Sequence, residues 1–359
     1  MSLLSTSPFS PLLGVVLIPL SLLYGAAVRL WLALYRVGIL RSRRAAAPVI
    51  SVGNLTVGGS GKSPVVEYLL REAKKAGVSA VSISRGYGRK SRAGLLRVRM
   101  NDRVPASPEV MGDEPYMLAW RNPAHAVYVG RNRVQAARLA EAVDRPQLIV
   151  LDDGYQHLRL ARDLNVLLID AERGLGNGHL LPWGVLREPL SALERADVVL
   201  LTKSSLGEAE AQARRLVARQ RRELPVFSCD YRASRLMRLD GKQALPLSAL
   251  QGQAVSLICA IAQPEGFSKV AQGLGASVEG VHAFRDHHPY GPRDLAWLDG
   301  QLAAVNGNWP CWLTTDKDAV KLRGRLQQSE RLWVLEMEVI PEPAAAAFFF
   351  DFLSGLQLR

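Results

Sequence analysis

Residues 12–28 are apolar on every side of a helix, and no charged residue lies between positions 2 and 28. The run is slightly short of the ~20 residues that cross a bilayer core as a helix, and Pro19 is expected to kink it. It continues through Arg29, Trp31, Tyr35 and Arg36 into Arg41, Arg43 and Arg44, so aromatics and cations fall where headgroups would lie. A secretory leader carries its positive charge before the apolar run, whereas here the charge follows it. The pattern predicts membrane anchoring or deep monotopic insertion, with the rest of the chain in the cytoplasm. A buried core helix is the alternative.

From residue 45 the texture becomes short apolar runs alternating with amphipathic stretches. Residues 49–52, 80–84, 126–129, 147–153, 164–170 and 196–202 read as buried strands, with helices over 65–76 and 131–143. This alternation predicts a doubly wound α/β domain with ligands at the C-terminal strand ends. The texture changes over 227–247, where Asp240-Gly241 predicts a hairpin turn between 231–239 and 243–247. A second α/β unit follows: a strand over 255–262, a helix ending near Gly275, strand then polar loop over 312–318, a last strand at 332–339 and a closing helix at 344–356. The expected division is a membrane-associating helix (1–44), a P-loop α/β domain (45–226), a β-hairpin linker (227–250) and a second α/β domain (251–359), whose last helix packs back on the first.

The most specific chemistry lies in VISVGNLTVGGSGKSP, residues 49–64. Strand, glycine-rich turn, Lys-Ser and helix is the layout of a phosphate-binding loop: backbone N–H groups and the helix N-terminus hold phosphate oxygens, and Ser63 can reach magnesium. Thr56 stands where the strict G-x-x-x-x-G-K-[ST] pattern has its first glycine. Thr56, Val57, Gly58, Gly59, Ser60, Gly61, Lys62 and Ser63 are the candidate nucleotide ligands, with Gly53 adding freedom at the strand end.

Other stretches join this loop at strand ends. The run QLIVLDD ends in Asp152 and Asp153, a Walker B arrangement that holds magnesium opposite the loop serine; side chains alternate along a strand, so one of the two should face the metal directly. Gln156 and His157 continue that loop. Arg85, in the basic glycine-broken RGYGR, is placed to approach anionic groups. Asp113 and Glu114 sit in an acidic turn, MGDEP, where helix capping is the competing reading. Residues 174–190, rich in Gly and Pro, read as a shaped loop over the active face. Asp286, His287 and His288 form the densest histidine cluster; acid–base or hydrogen-bonding work suits it better than a metal, because neighbouring residues seldom all reach one ion.

The formal net charge of +12 and pI near 9.9 call for an anionic partner, yet no basic tail or nucleic-acid signature is present, and nucleic acid is not expected. Cys229, Cys259 and Cys311 are far apart without metal-ligand spacing, consistent with a reducing compartment.

Taken together, GNLTVGGSGKSP, SRGYGR, MGDEP, LDDGYQHLRLARDLNVLLID, LLPWGVLREPL, FRDHHPY and LTTDKDAVKL closely resemble the tetraacyldisaccharide 4′-kinases, in family order and over nearly the whole chain. The resemblance implies two Rossmann-like α/β/α domains joined by a two-stranded linker, at the cytoplasmic face of the Gram-negative inner membrane. It implies ATP and Mg2+ as cofactors and an acylated glucosamine disaccharide 1-phosphate as acceptor. It also implies Asp113 as catalytic base with His287 as its dyad partner, and Glu114, Ser63, Asp152 and Asp153 near the metal. Ser63 replaces the family's usual threonine, and Arg285 stands where proline is common. Two other classes compete. A P-loop GTPase or metallochaperone would need [NT]-K-x-D, which Thr202-Lys203-Ser204-Ser205 lacks and Thr315-Asp316-Lys317-Asp318 spaces wrongly. A non-enzymatic basic membrane-binding protein would leave the acidic loops unexplained.

Overall fold

A computed structural model of the chain describes residues 11–58, 61–87, 89, 94–100, 107–203, 207–261, 263–286, 288–304 and 311–357. Helix α1 (Pro11–Arg36) leads into β1 (Val49–Asn54), α2 (Lys62–Lys75), β2 (Ala80–Ser84), β3 (Leu95–Val98), α3 (Pro108–Met111), α4 (Asp113–Arg121), β4 (Ala126–Gly130), α5 (Arg133–Val143), β5 (Leu148–Asp152), β6 (Leu164–Asp170), β7 (Val198–Thr202) and α6 (Gly207–Gln220). Then come β8 (Val226–Arg238), β9 (Ala244–Leu245), β10 (Ala254–Cys259), α7 (Pro264–Gly273), β11 (Ser277–Ala283), α8 (Pro292–Ala303), β12 (Trp312–Thr315), α9 (Asp316–Leu322), β13 (Leu332–Pro341) and α10 (Pro343–Gln357).

The strands form one mixed sheet in the order β11-β10-β12-β13-β8-β7-β6-β1-β5-β2-β4-β3, with β9 beside β8. Every residue of β1, β2, β4, β5 and β7 is buried, as expected for parallel strands covered on both faces. β1 lies between β5 and β6, where the strand order reverses direction, so its C-terminal end opens into the ligand crevice of a doubly wound sheet.

β8 carries the sheet across its middle. Val226–Cys229 run parallel to β7, and the remainder, from Cys229 to Arg238, pairs antiparallel with β13. This differs from the expected hairpin. The Asp240-Gly241 turn is present, with Gly241 at φ +76, but β9 is only two residues long. Pro246 ends it, because proline has no N–H for the ladder, and β13, about ninety residues downstream, becomes the long partner.

Two strands escape the sequence reading, β3 and β11. Both are edge strands; β11 alternates exposed and half-buried positions, with valines three residues apart rather than two, so its periodicity is blurred. A single helix runs through Pro19. α1 has the length and apolarity to cross a membrane and is little buried, with Val15, Val16, Leu22, Leu23 and Leu30 all exposed. Its other face docks on the 174–190 loop: Ser21 Oγ donates to Leu180 O (2.7 Å), and Tyr24 OH donates to Arg187 O (2.8 Å). At the other end of the chain α10 buries Ala345, Phe349 and Leu353 against α2, where Phe349 meets Tyr68 edge-on at 6.2 Å.

Candidate active site

At the end of β1 the backbone passes Gly53, where a Cβ would lie 2.6 Å from Tyr155 Cβ and 2.8 Å from Tyr155 N. Only glycine lets the two strand-end loops touch this closely. Leu55 to Val57 then pair with the 174–190 loop: Arg187 N–H donates to Leu55 O (2.7 Å) and Val57 N–H to Val185 O (2.8 Å), with Thr56 bridged to Leu186. Gly61, in the left-handed region at φ +74, caps α2, and Tyr231 OH donates to its carbonyl at 3.1 Å. Lys62 and Ser63 occupy the first turn of α2, where free N–H groups and the helix dipole favour anions. Lys62 Nζ donates to Asn54 Oδ1 (3.4 Å) and lies 3.6 Å from Asp153 Oδ1. Gly59, Ser60 and His287 lie outside the described residues.

The two aspartates at the end of β5 have different roles. Asp153, at φ +51, faces Arg187 Nη1 at 3.1 and 3.2 Å as well as Lys62. Burial alone would raise its carboxyl, but Lys62 and Arg187 outweigh burial and hold it below the usual range. Asp152 is buried; its Oδ2 accepts from Ser84 Oγ (3.3 Å), and its Oδ1 has no partner in the protein. Burial first, then the charges of Glu114 and Asp153, push it up to about 7 against the opposing pull of Lys62. A buried carboxylate with an unpartnered oxygen, a second carboxylate close by and a buried serine, Ser63, fits a hard divalent cation. Mg2+ takes few protein oxygens and leaves the remaining positions to phosphates and water. Among the described residues no group of three His, Cys, Asp or Glu could hold a metal without such help.

Asp113 and Glu114 begin α4 behind Gly112, and no side-chain cap bond forms at that N-terminus. Asp113 is partly exposed and lies 3.7 Å from Nζ of Lys321, a buried residue of α9. Gln156 Nε2 donates to Asn54 O (3.0 Å), so Gln156 supports the loop from behind. His157 is lowered to about 4 by burial and by Arg133, Arg162, Arg159 and Arg85, which keeps its ring neutral and marks a strongly basic rim. Arg85 is exposed on that rim.

Of the histidine cluster, Asp286 and His288 are described. Asp286 is exposed, while His288 binds Asp294 Oδ2 through Nε2 (2.7 Å) and stacks on Phe284 at 4.7 Å. Asp318 Oδ2 is occupied internally, accepting from Ala260 N–H (3.0 Å) and Thr315 Oγ1 (2.7 Å). It fastens β10 to α9, work unrelated to reading a guanine base. Sequence reasoning missed Asn54, Ser84, Arg187 and Lys321, which hold Lys62, Asp152, Asp153 and Asp113. All four stood inside the motifs named above, but nothing local distinguished them from surface polar residues.

A glycine loop at a helix start, opposite a buried aspartate on the adjacent parallel strand, defines a P-loop nucleotide-binding protein. The chain belongs to the family described as tetraacyldisaccharide-1-P 4′-kinase, which it matches over residues 13–354. It is 40% identical over 340 residues to the tetraacyldisaccharide 4′-kinase of Geobacter sulfurreducens, covering 94% of this chain and 93% of that one. It is 38% identical over 334 residues to that of Pelobacter propionicus, covering 92% and 89%. A crystal structure of the "apo" form of LpxK from Aquifex aeolicus in complex with ATP superposes with a TM-score of 0.76 at 31% identity, over 93% of this chain and 97% of that one. The chain is an ATP-dependent kinase of this family.

Proposed function

We propose that this kinase transfers the γ-phosphoryl group of ATP to the 4′-hydroxyl of a tetraacylated glucosamine disaccharide 1-phosphate, giving the bis-phosphorylated lipid A precursor (lipid IVA). The observation that carries the reading is the opposition of Lys62, in the first turn of α2, to Asp152 and Asp153 at the end of β5. In this reading the loop amides from Thr56 to Ser63 and the Lys62 ammonium hold the phosphates. Ser63, Asp152 and Glu114 would hold Mg2+, which when bound neutralises charge on the transferring group. Asp113, positioned by Lys321, accepts the proton of the attacking 4′-hydroxyl as the bond to the γ-phosphorus forms and the bond to ADP breaks. His287 is its proposed dyad partner. Asp153 acts through Lys62 and Arg187, and Arg85, Gln156, His157 and Asp286 are accessory positions for the acceptor.

The same reading places the enzyme at the cytoplasmic face of the inner membrane, held by α1. It divides the chain at β8 and β13 into two α/β units that close around ATP and bring Asp113 and His287 together. The test is transfer of labelled γ-phosphate from ATP to the purified disaccharide lipid in detergent micelles. Wild-type enzyme should give the bis-phosphorylated lipid, and Asp113→Ala and Lys62→Ala should each lose most turnover. Full activity in Asp113→Ala would remove the base assignment.

A further inference from the structure

The segment that leaves α1 is tied down. Ser42 Oγ donates to Leu158 O (2.5 Å), Arg43 N–H donates to Arg159 O (2.8 Å), and Ala161 N–H donates back to Arg43 O (2.9 Å). This lays residues 41–44 beside 158–161, directly after the loop that bears Gln156 and His157. Between this ladder, the last turns of α1 and the first turn of α5 lies a cavity of about 480 Å³. Arg41, Arg43, Arg138 and Arg159 line it together with Tyr35 and Ile39.

Three features define what it would hold. The four arginines are exposed, and among the described residues none forms an ion pair, although Arg36 and Arg44 on either side pair with Glu194 and Asp163. Like charges gathered without a counter-ion repel one another, so an anion entering the cavity gains from all four. The rim is apolar: Val37 and Ile39 are 68% and 69% exposed, and they continue the exposed apolar face of α1. The cavity also lies at the end of a helix about 39 Å long, from 26 residues at ~1.5 Å each. It is near Trp31 and Tyr35, whose rings meet edge-on at 5.3 Å and suit the interface of a bilayer. A soluble phosphate compound would have no use for the apolar rim.

We propose that this cavity binds the phosphate headgroups of anionic phospholipids in the membrane that α1 enters, so that the enzyme prefers anionic bilayers for a reason separate from its apolar anchor. The proposal rests on reading α1 as a membrane helix. The test is flotation of the full chain with vesicles of phosphatidylcholine alone or mixed with phosphatidylglycerol. Wild-type protein should bind both, and the mixed vesicles more tightly. The double variant Arg138→Glu/Arg159→Glu, which leaves α1 intact, should bind phosphatidylcholine as before and lose the preference, by roughly fivefold or more per arginine. Arg138→Lys/Arg159→Lys should keep it, and unchanged ATP binding in both variants would show that the fold is intact. A preference that survives charge reversal overturns the proposal. So does a reversal that leaves the preference unchanged but raises the KM for the acceptor in neutral micelles, because the cavity would then serve the acceptor's own phosphate. Failure of the wild type to bind either vesicle would sink the membrane reading of α1, and this proposal with it, while leaving the kinase assignment standing.

Discussion

Asp152 is 1% exposed, and only one of its two oxygens has a partner in the protein. Its folded pKa, about 7 against an ordinary 3.8, means that the folded chain keeps a proton over that interval which the unfolded chain releases. The associated stability is therefore full below pH 3.8 and is lost as pH rises through about 7. Asp152→Asn removes the titrating group. Without nucleotide, its melting temperature should fall less than the wild type's between mildly acidic and mildly alkaline buffer, while turnover with ATP is lost; parallel pH profiles would contradict the assignment. Gly61 is constrained differently. At φ +74, with a Cβ that would stand 1.6 Å from the Tyr231 hydroxyl, alanine there must move either the start of α2 or Tyr231. Left-handed backbone alone costs ~1–2 kcal/mol for a residue with a Cβ, so Gly61→Ala should weaken ATP binding about tenfold or more by calorimetry. Unchanged affinity would remove Gly61 from the nucleotide site.

α1 and α10, the first and last helices, are both docked by sequence-distant partners. Phe349 of α10 is 1% exposed in the cluster that also holds Tyr68, Leu69 and Leu70 of α2, the helix that presents Lys62. Phe349→Ala should cost about 3–5 kcal/mol in urea unfolding, as large-to-small changes in tight cores do. A cost well below that would mean the last helix can detach without disturbing α2. Removing residues 1–28 deletes most of the exposed apolar face of α1, Val15, Val16, Leu22 and Leu23 among it, and the hydrogen bonds from Ser21 and Tyr24. On neutral phosphatidylcholine vesicles the truncated protein should shift to the soluble fraction; unchanged sedimentation would mean that other surfaces also hold neutral lipid. These elements show what the sequence made legible. The P-loop could be read because strand, glycine turn and Lys-Ser lie within sixteen residues and each has its own local signal. The aspartates after β5 were legible as a strand ending in carboxylates. Arg187 and Lys321 were not, because the side chains that give them meaning, Asp153 and Asp113, lie far away in the chain and meet them only through the fold. The partner of β8 was hidden for the same reason. A hairpin turn announces itself in two residues, whereas pairing with β13 follows from the order of the whole sheet.

Across the whole molecule, one buried cation joins four elements. Arg121, at the end of α4, reaches Glu67 of α2 at 2.8 Å and Asp316 of α9 at 2.9 Å, with Glu336 of β13 close enough to add its charge. Burial raises Glu67 to about 7 even with Arg121 beside it, and burial likewise raises Asp316. The four groups link the helix that starts at Lys62 and the helix that starts at Asp113 to the region beyond β8. The neighbouring Arg323 reinforces the junction, lying 3.8 Å over the ring of Trp120. Paired buried charges of this kind add little net stability, yet removing one partner leaves the others uncompensated at a cost of about 3–5 kcal/mol. Arg121→Met keeps most of the volume and removes the charge. Since Glu67 and Asp316 already titrate above their ordinary range, losing their cation raises both further, and the variant's stability should fall with rising pH more steeply than the wild type's. Urea unfolding of both proteins in mildly acidic and mildly alkaline buffer measures this directly. Arg121→Met/Glu67→Gln should recover part of the loss, because it removes one of the stranded charges. Equal destabilisation at both pH values would mean that Arg121 acts through packing over α9 and not through its charge.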